Sequence, residues 1–371
     1  MQPGAKRSQA FDHRIASTVV EMGERSLSPE VLTRWLAPRL GDATIIGVRE
    51  EPVGTGQMSE SRRLLLDYSQ PCGLPDTMIA KFESASETSR AASRATRTYE
   101  VETAFYREIR ERVSVNAPRC FYNEFALDSD EFVLLLSDFA PCSQGDQLVG
   151  CSVDDARRAV AEIAGLHAPL WGNFELKQMP WLHRNPPDKK RNVEALFAQL
   201  APGFLERYRG RLNPAAIEVC EHLARSPRDY FTYDPVRFTV VHGDFRLDNV
   251  LFVDGADRRI GVVDFQTVAV GCPLLDVAYF IGAGLTRGPR RESETELVAD
   301  YVRALGGHGV SLSLDEAWVL YRRYTFAGFV MAVVASMIVK QTDRGDEMFM
   351  AMANRHADQV VELDAFAALA D

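Results

Sequence analysis

The chain has 371 residues, 46% hydrophobic and 25% charged, an ordinary globular composition with length for about two domains. Its net charge of −10 argues against a nucleic-acid partner, which needs a basic surface. No charged tail accounts for it: 17 basic and 21 acidic groups lie in residues 1–138, and 25 and 31 beyond.

Met1–Arg7 is not followed by an apolar run, so a secretory signal is not expected. Phe11, Ile15, Val19 and Met22 then recur at helical spacing. Ser28-Pro29-Glu30 starts a second helix, with Ser at the N-cap and Pro in the first turn, and that helix should end near Pro38. From Ala43 the texture turns to short β-like runs at Thr44–Val48, Arg62–Tyr68 and Thr77–Phe82. Residues 87–112 read as a charged helix, and Phe132–Leu136 as a buried strand. After Asp138 the chain is mainly helical: 153–167, 190–208, 214–225, 293–305, 314–340 and 346–369, with an irregular insertion over 171–190. Strands interrupt the helices only within 238–264. The expectation is an α+β fold: N-terminal helices over 1–42, a small β-rich lobe over 43–138 and a helical lobe over 139–371. The longest apolar stretch, Phe326–Val339, is shorter than the ~20 residues of a membrane helix, so it reads as core. Cys72, Cys120, Cys142, Cys151, Cys220 and Cys272 form no C-x-x-C pair, which suits free thiols in a reducing cytoplasm.

Several residues carry chemistry. Gly54 and Gly56, between two strands, let backbone N–H groups approach phosphate oxygens; a plain hairpin turn is the competing reading. Ser59 and Ser61 add hydroxyl donors or face solvent. Lys81 lies in the apolar strand Met78–Phe82. It either reaches phosphates and a carboxylate or points into water from an edge, because a buried unpaired charge is costly. Glu102 is the preferred carboxylate, one turn before Phe105 and Tyr106; Glu100 sits on a different face.

The most specific segment is Val240–Phe252, in which Asp244 is followed five residues later by Asn249 between two apolar runs. That is the spacing of a phosphoryl-transfer loop: Asp244 accepts the proton of an attacking hydroxyl and Asn249 ligates Mg²⁺. Asp264, at the end of the apolar run Ile260–Val263, offers a second hard oxygen ligand. Arg246 either neutralises the transferred phosphate or pairs with Asp248, His242 braces the loop, and Asp248 is read as solvated.

His242-Gly243-Asp244 through Asn249, then Val263-Asp264-Phe265-Gln266, then Gly271–Ala278 resembles the aminoglycoside phosphotransferase and choline-kinase-like superfamily. Gly54-Thr55-Gly56-Gln57-Met58 and Glu102-x-x-Phe105-Tyr106 look most like its ecdysteroid-kinase-like branch, and Leu166-His167 is similar to a pair found there. The resemblance implies a protein-kinase-like bilobal fold and transfer from ATP, or GTP, with Mg²⁺, to a small-molecule alcohol. It makes Asp276 a brace for the loop and favours a flat, hydrophobic acceptor. Two departures stand out. Ser137-Asp138-Phe139 replaces the acidic residue and Asp-Leu that relatives often carry at the inter-lobe strand end. No Ala-Pro-Glu segment follows Asp264, which favours a small acceptor over a protein. Acceptor choice is expected in the 171–235 insertion and the 314–340 helix: Trp171, Trp181, Trp318, Tyr321 and Tyr324 are candidates to line the acceptor site or belong to the core, and Lys189-Lys190-Arg191 meets an anion or water. The rival readings are a catalytically silent nucleotide-binding module and a metal-dependent hydrolase, the latter needing further carboxylate or His ligands.

Overall fold

A computed structural model describes residues 27–54, 58–183, 187–225, 230, 236–253, 258–339 and 341–369. Between 187 and 193 only the backbone is described. The expected helix over 11–22 lies outside the described residues, as does Gly56.

Helix α1 (Pro29–Leu40) starts where the capping signal puts it, with Ser28 Oγ accepting from the Val31 N–H at 3.4 Å. It continues through Pro38 for two more residues and buries Leu32, Leu36 and Leu40. Those side chains cover one face of a five-stranded antiparallel sheet: β1 (Ile45–Pro52), β2 (Ser59–Tyr68), β3 (Thr77–Glu83), β4 (Cys120–Ala126) and β5 (Glu131–Ser137). The spatial order is β1-β2-β3-β5-β4. Strand β4 was not anticipated, because its apolar positions are diluted by Asn123 and Glu124 and only Phe121 is fully buried. Alternation sorts the residues of β3: Met78, Ala80 and Phe82 pack beneath α1, and Lys81 takes the opposite face.

The charged helix expected over 87–112 is three pieces. Helix α2 (Glu87–Thr96) stops at Arg97, which adopts a left-handed conformation (φ 58°). Helix α3 (Thr98–Ala104) restarts in a new direction and ends in a π turn over Phe105–Ile109. This break places Glu102 under the sheet. The Phe105 ring stacks on Phe265 at 4.0 Å, so the end of α3 shares one core with the segments around residues 240–265.

Beyond Asp138 the architecture is helical. Strand β6 (Cys142–Gln144) precedes α4 (Val153–His167), and short 3₁₀ turns fill 168–182. Helices α5 (Pro187–Tyr208) and α6 (Pro214–Arg225) follow. Four short strands then frame the site: β7 (Thr239–Val241), β8 (Val250–Val253), β9 (Ile260–Val262) and β10 (Ala269–Gly271). They form two antiparallel ladders, β6-β8-β9 and β7-β10. Helices α7 (Leu274–Gly284), α8 (Arg287–Gly307), α9 (Leu314–Tyr324), α10 (Phe326–Ile338) and α11 (Asp343–Glu362) complete the chain. The helix expected over 314–340 is thus broken at Thr325, and the one over 346–369 ends at Glu362 with a 3₁₀ turn after it. No helix among the described residues is long and apolar enough to cross a membrane. The six cysteines are free thiols.

Candidate active site

The site lies where the open face of the sheet meets the short strands. Lys81 projects from β3 and is nearly buried. Its Nζ lies 2.8 Å and 2.7 Å from the two oxygens of Glu102, and 2.8 Å from Asp264 Oδ1. Glu100 instead pairs with Arg97 at 2.6 Å. Burial works against the Lys81 charge, but the Asp264 and Glu102 carboxylates outweigh it and hold its pKa above the ordinary value. Burial pushes the Glu102 carboxyl up to about 7 against the pull of Lys81.

The loop after β7 is fixed from below by Asp276, the third residue of α7. Its Oδ2 accepts from the His242 N–H at 2.6 Å and its Oδ1 from the Gly243 N–H at 2.9 Å. His167 Nε2 lies 3.0 Å from the same carboxylate, and its Nδ1 2.9 Å from the Tyr301 hydroxyl. Gly243 has φ 80°, and a Cβ there would sit 2.6 Å from the Thr267 carbonyl oxygen, so the turn needs glycine. His242 Nε2 reaches the Val263 carbonyl oxygen at 3.0 Å, tying the loop to the segment that carries Asp264.

Asp244 emerges from this turn surrounded by donors. Tyr279 OH donates to Oδ1 at 2.8 Å, Asn249 Nδ2 to Oδ2 at 3.1 Å, and Arg246 Nε lies 3.1 and 3.2 Å from the two oxygens. Arg246 also bonds Asp248 and touches Met348 Sδ. Burial opposes its charge, yet Asp244 and Asp248 raise its pKa. Asp248 is therefore not a solvated loop residue: its carboxylate also accepts from the Gln147 N–H at 3.3 Å. Asp264 has φ 68°, and Gln266 Nε2 donates to its Oδ2 at 3.0 Å. Gln266 Oε1 is buried without a protein partner.

These groups line one cleft of about 650 Å³. Gly54 (φ 77°), Ser59 and Ser61 line its roof, and Ser137, Asp138 and Phe139 one wall. Ser137 Oγ accepts from the Arg119 N–H at 2.9 Å, and Asp138 is held by Arg63 at 2.6 Å. The far end is mostly apolar, built by Met331, Ala335 and Val339 from around α10, Met348, Phe349 and Met352 from α11, and the Tyr279 ring, with Thr342 and Arg344 also in the lining.

None of the five aromatic candidates lines this cleft, and each has a structural place instead. Trp181 is buried with its indole N–H on Glu108 at 2.8 Å, and Trp171 packs on the core. Trp318 stacks on Tyr321, whose hydroxyl donates to Glu294 at 3.0 Å, and Tyr324 is buried. Lys189, Lys190 and Arg191 have side chains outside the described residues. Sequence reasoning missed Tyr279, Gln266 and the methionines. Tyr279 was findable only as the residue one turn beyond Asp276.

The donor set bears on a metal. Among the described residues no three His, Cys, Asp or Glu side chains cluster to hold an ion, which leaves the hydrolase reading without its ligands. Asn249 spends its Nδ2 on Asp244, so its Oδ1 stays available, and Asp264 supplies carboxylate oxygen nearby. One carboxylate and one amide oxygen suit Mg²⁺, which takes its other ligands from water and substrate phosphates.

Residues 73–318 match the model of the phosphotransferase enzyme family. A Ralstonia eutropha JMP134 crystal structure, provisionally described as an aminoglycoside phosphotransferase, has the same fold: TM-score 0.52 and 15% identity over 90% of this chain and 98% of that one. Two curated relatives match shorter segments. Probable acyl-CoA dehydrogenase IBR3 of Arabidopsis thaliana is 34% identical over 91 residues, 24% of this chain, and Acyl-CoA dehydrogenase family member 10 of Mus musculus 30% identical over 120 residues, 29% of this chain. The matched segment spans 11% of the length of each relative.

Proposed function

Because this chain belongs to the phosphotransferase enzyme family, we propose that it transfers the γ-phosphoryl group of Mg²⁺-bound ATP to a hydroxyl on an apolar small molecule. The observation that carries the reading is the convergence in one cleft of Lys81, Glu102 and Asp264 with the Asp244–Asn249 pair. All the polar groups that phosphoryl transfer asks of a protein are there together. A silent module has no need to keep them all.

The nucleotide side is assigned to the sheet-rich lobe, 43–138, and the acceptor side to the helical lobe, 139–371. Lys81, oriented by Glu102, reaches the phosphates, with Gly54 and Ser59 above them. Asn249 and Asp264 hold Mg²⁺, which when bound neutralises phosphate charge. Asp244 takes the proton from the acceptor hydroxyl. Arg246, already anchored by Asp248, balances charge on the group in transfer.

The acceptor follows from the far end of the cleft. Methionine and phenylalanine there match a hydrophobic body far better than a polycation. The curated relatives bear acyl-CoA dehydrogenase names, which puts hydroxyacyl thioesters beside sterols at the head of the acceptor screen. Thermal shift with Mg²⁺-ATP and Mg²⁺-GTP, followed by ADP or GDP release over alcohols, tests the reading. A stabilising shift and turnover with an apolar alcohol are expected. No shift with either nucleotide sinks it, and turnover confined to aminoglycosides sinks the acceptor assignment.

A further inference from the structure

We propose that Tyr279 is the positioning residue for Asp244, holding the carboxylate from the acceptor side so that its proton-accepting lone pair meets the incoming hydroxyl. The inference rests on the reading of Asp244 as the general base. A carboxylate has about four acceptor positions, and Tyr279, Asn249 and the shared Arg246 N–H occupy them. These donors are not equivalent. Arg246 divides one N–H between two oxygens at 3.1 and 3.2 Å, a weak arrangement that an acceptor hydroxyl can replace. Asn249 comes from the same loop and is committed to the Asp244 carbonyl oxygen as well. Tyr279 alone approaches from another element, α7, with its ring on the apolar end of the cleft.

Its ring cannot easily move. It is buried, and His356 lies behind it with ring centroids 5.5 Å apart. His356 fits there because Gly282 and Gly328 lack side chains. A Cβ at Gly282 would lie 2.5 Å from His356 Nδ1, and one at Gly328 1.9 Å from Nε2. Gly282 also makes room for Gln359, whose Oε1 a Cβ would meet at 2.1 Å, so the two close helix approaches seat the imidazole together with its amide partner behind the tyrosine. A hydroxyl merely finding a partner would not require that backing.

Tyr279→Phe keeps the buried ring and removes the donor. With the acceptor found in the screen, kcat should fall roughly 10- to 100-fold, as expected for a hydrogen bond to a charged group. Acceptor KM and Mg²⁺-ADP affinity should stay near wild type, with Tm lower by only a few degrees, roughly what losing one buried hydrogen bond costs. In an Asp244→Asn background the same change should cost nothing further, since a residue acting through Asp244 has nothing left to position. 3-Fluorotyrosine at position 279, which keeps ring and hydroxyl, should restore most of the rate. Wild-type kcat in Tyr279→Phe, or a full further loss in the Asp244→Asn background, overturns the proposal. A wild type that binds no nucleotide overturns the phosphotransferase reading first and this role with it.

Discussion

The two ends of the cleft are built by opposite rules. At the polar end, Lys81, Glu102, Asp244, Asn249 and Asp264 are locked to one another by hydrogen bonds of 2.7–3.1 Å. Each is held further by backbone geometry: the break at Arg97, the glycine turn at 243 and the left-handed Asp264. At the apolar end, Met331 and Met352 offer flexible surfaces, and the one polar tie among the three methionines is Met348 Sδ to Arg246 at 3.2 Å. The contrast teaches how such a site divides its work. Chemistry needs charges placed to fractions of an ångström, whereas recognition of an apolar body needs only volume and a dry wall. The first part tolerates almost no substitution, and the second can be reshaped.

Four experiments press on that contrast. Asp244→Asn should lower turnover by about 10²–10⁴-fold while Mg²⁺-nucleotide still stabilises the protein; loss of nucleotide binding would mean the polar end is one unit rather than separable roles. Lys81→Ala leaves two carboxylates without their shared cation, costing about 3 kcal/mol in chemical denaturation together with nucleotide kcat/KM. An unaltered rate would remove Lys81 from the site. Met331→Trp narrows the apolar end and should raise acceptor KM about 10-fold with nucleotide KM unchanged. Equal effects on both substrates would erase the distinction between the ends.

The last experiment concerns the backing of the apolar end and reads acid stability rather than turnover. Burial depresses the His356 pKa from 6.5 to about 3. The folded state therefore keeps His356 neutral where the unfolded chain protonates it, so its contribution is complete above pH 6.5 and lost as pH falls toward 3. Between pH 6.5 and 3 the loss should approach about 1.4 kcal/mol per pH unit, and below pH 3 it should level off. His356→Gln should flatten this limb in urea titrations; an unchanged slope would assign the acid sensitivity to other groups.

The two ends also differ in how far they could be read in advance. Asp244 and Asn249 share a loop, and their spacing survives translation from sequence to space because the turn at Gly243 and the hydrogen bonds within the loop are local. Lys81 was legible as a charge in an apolar strand, and Glu102 from the aromatic pair one turn on. The misread points share a different character. Strand β4 is held by pairing to β5 rather than by its own pattern. The break at Arg97 carries no glycine or proline to announce it. Asp248 looked solvated because Arg246 and Gln147 reach it only in the folded chain.

The aromatic candidates show the limit most plainly. Trp318 and Tyr321 sit on a helix much as Met331 and Met348 sit on theirs, and nothing in one dimension separates a core face from a cleft face. By itself the sequence determined the family, the α+β architecture and the polar residues that converge in the cleft, because those depend on short segments with fixed local geometry. The sequence pointed to both the 171–235 insertion and the 314–340 helix for the acceptor; the tertiary structure decided that α10, joined by α11, lines the apolar end and that Tyr279 stands against Asp244. Those choices depend on how helices far apart in the chain pack, and that packing rests on contacts as small as two glycines making room for one histidine.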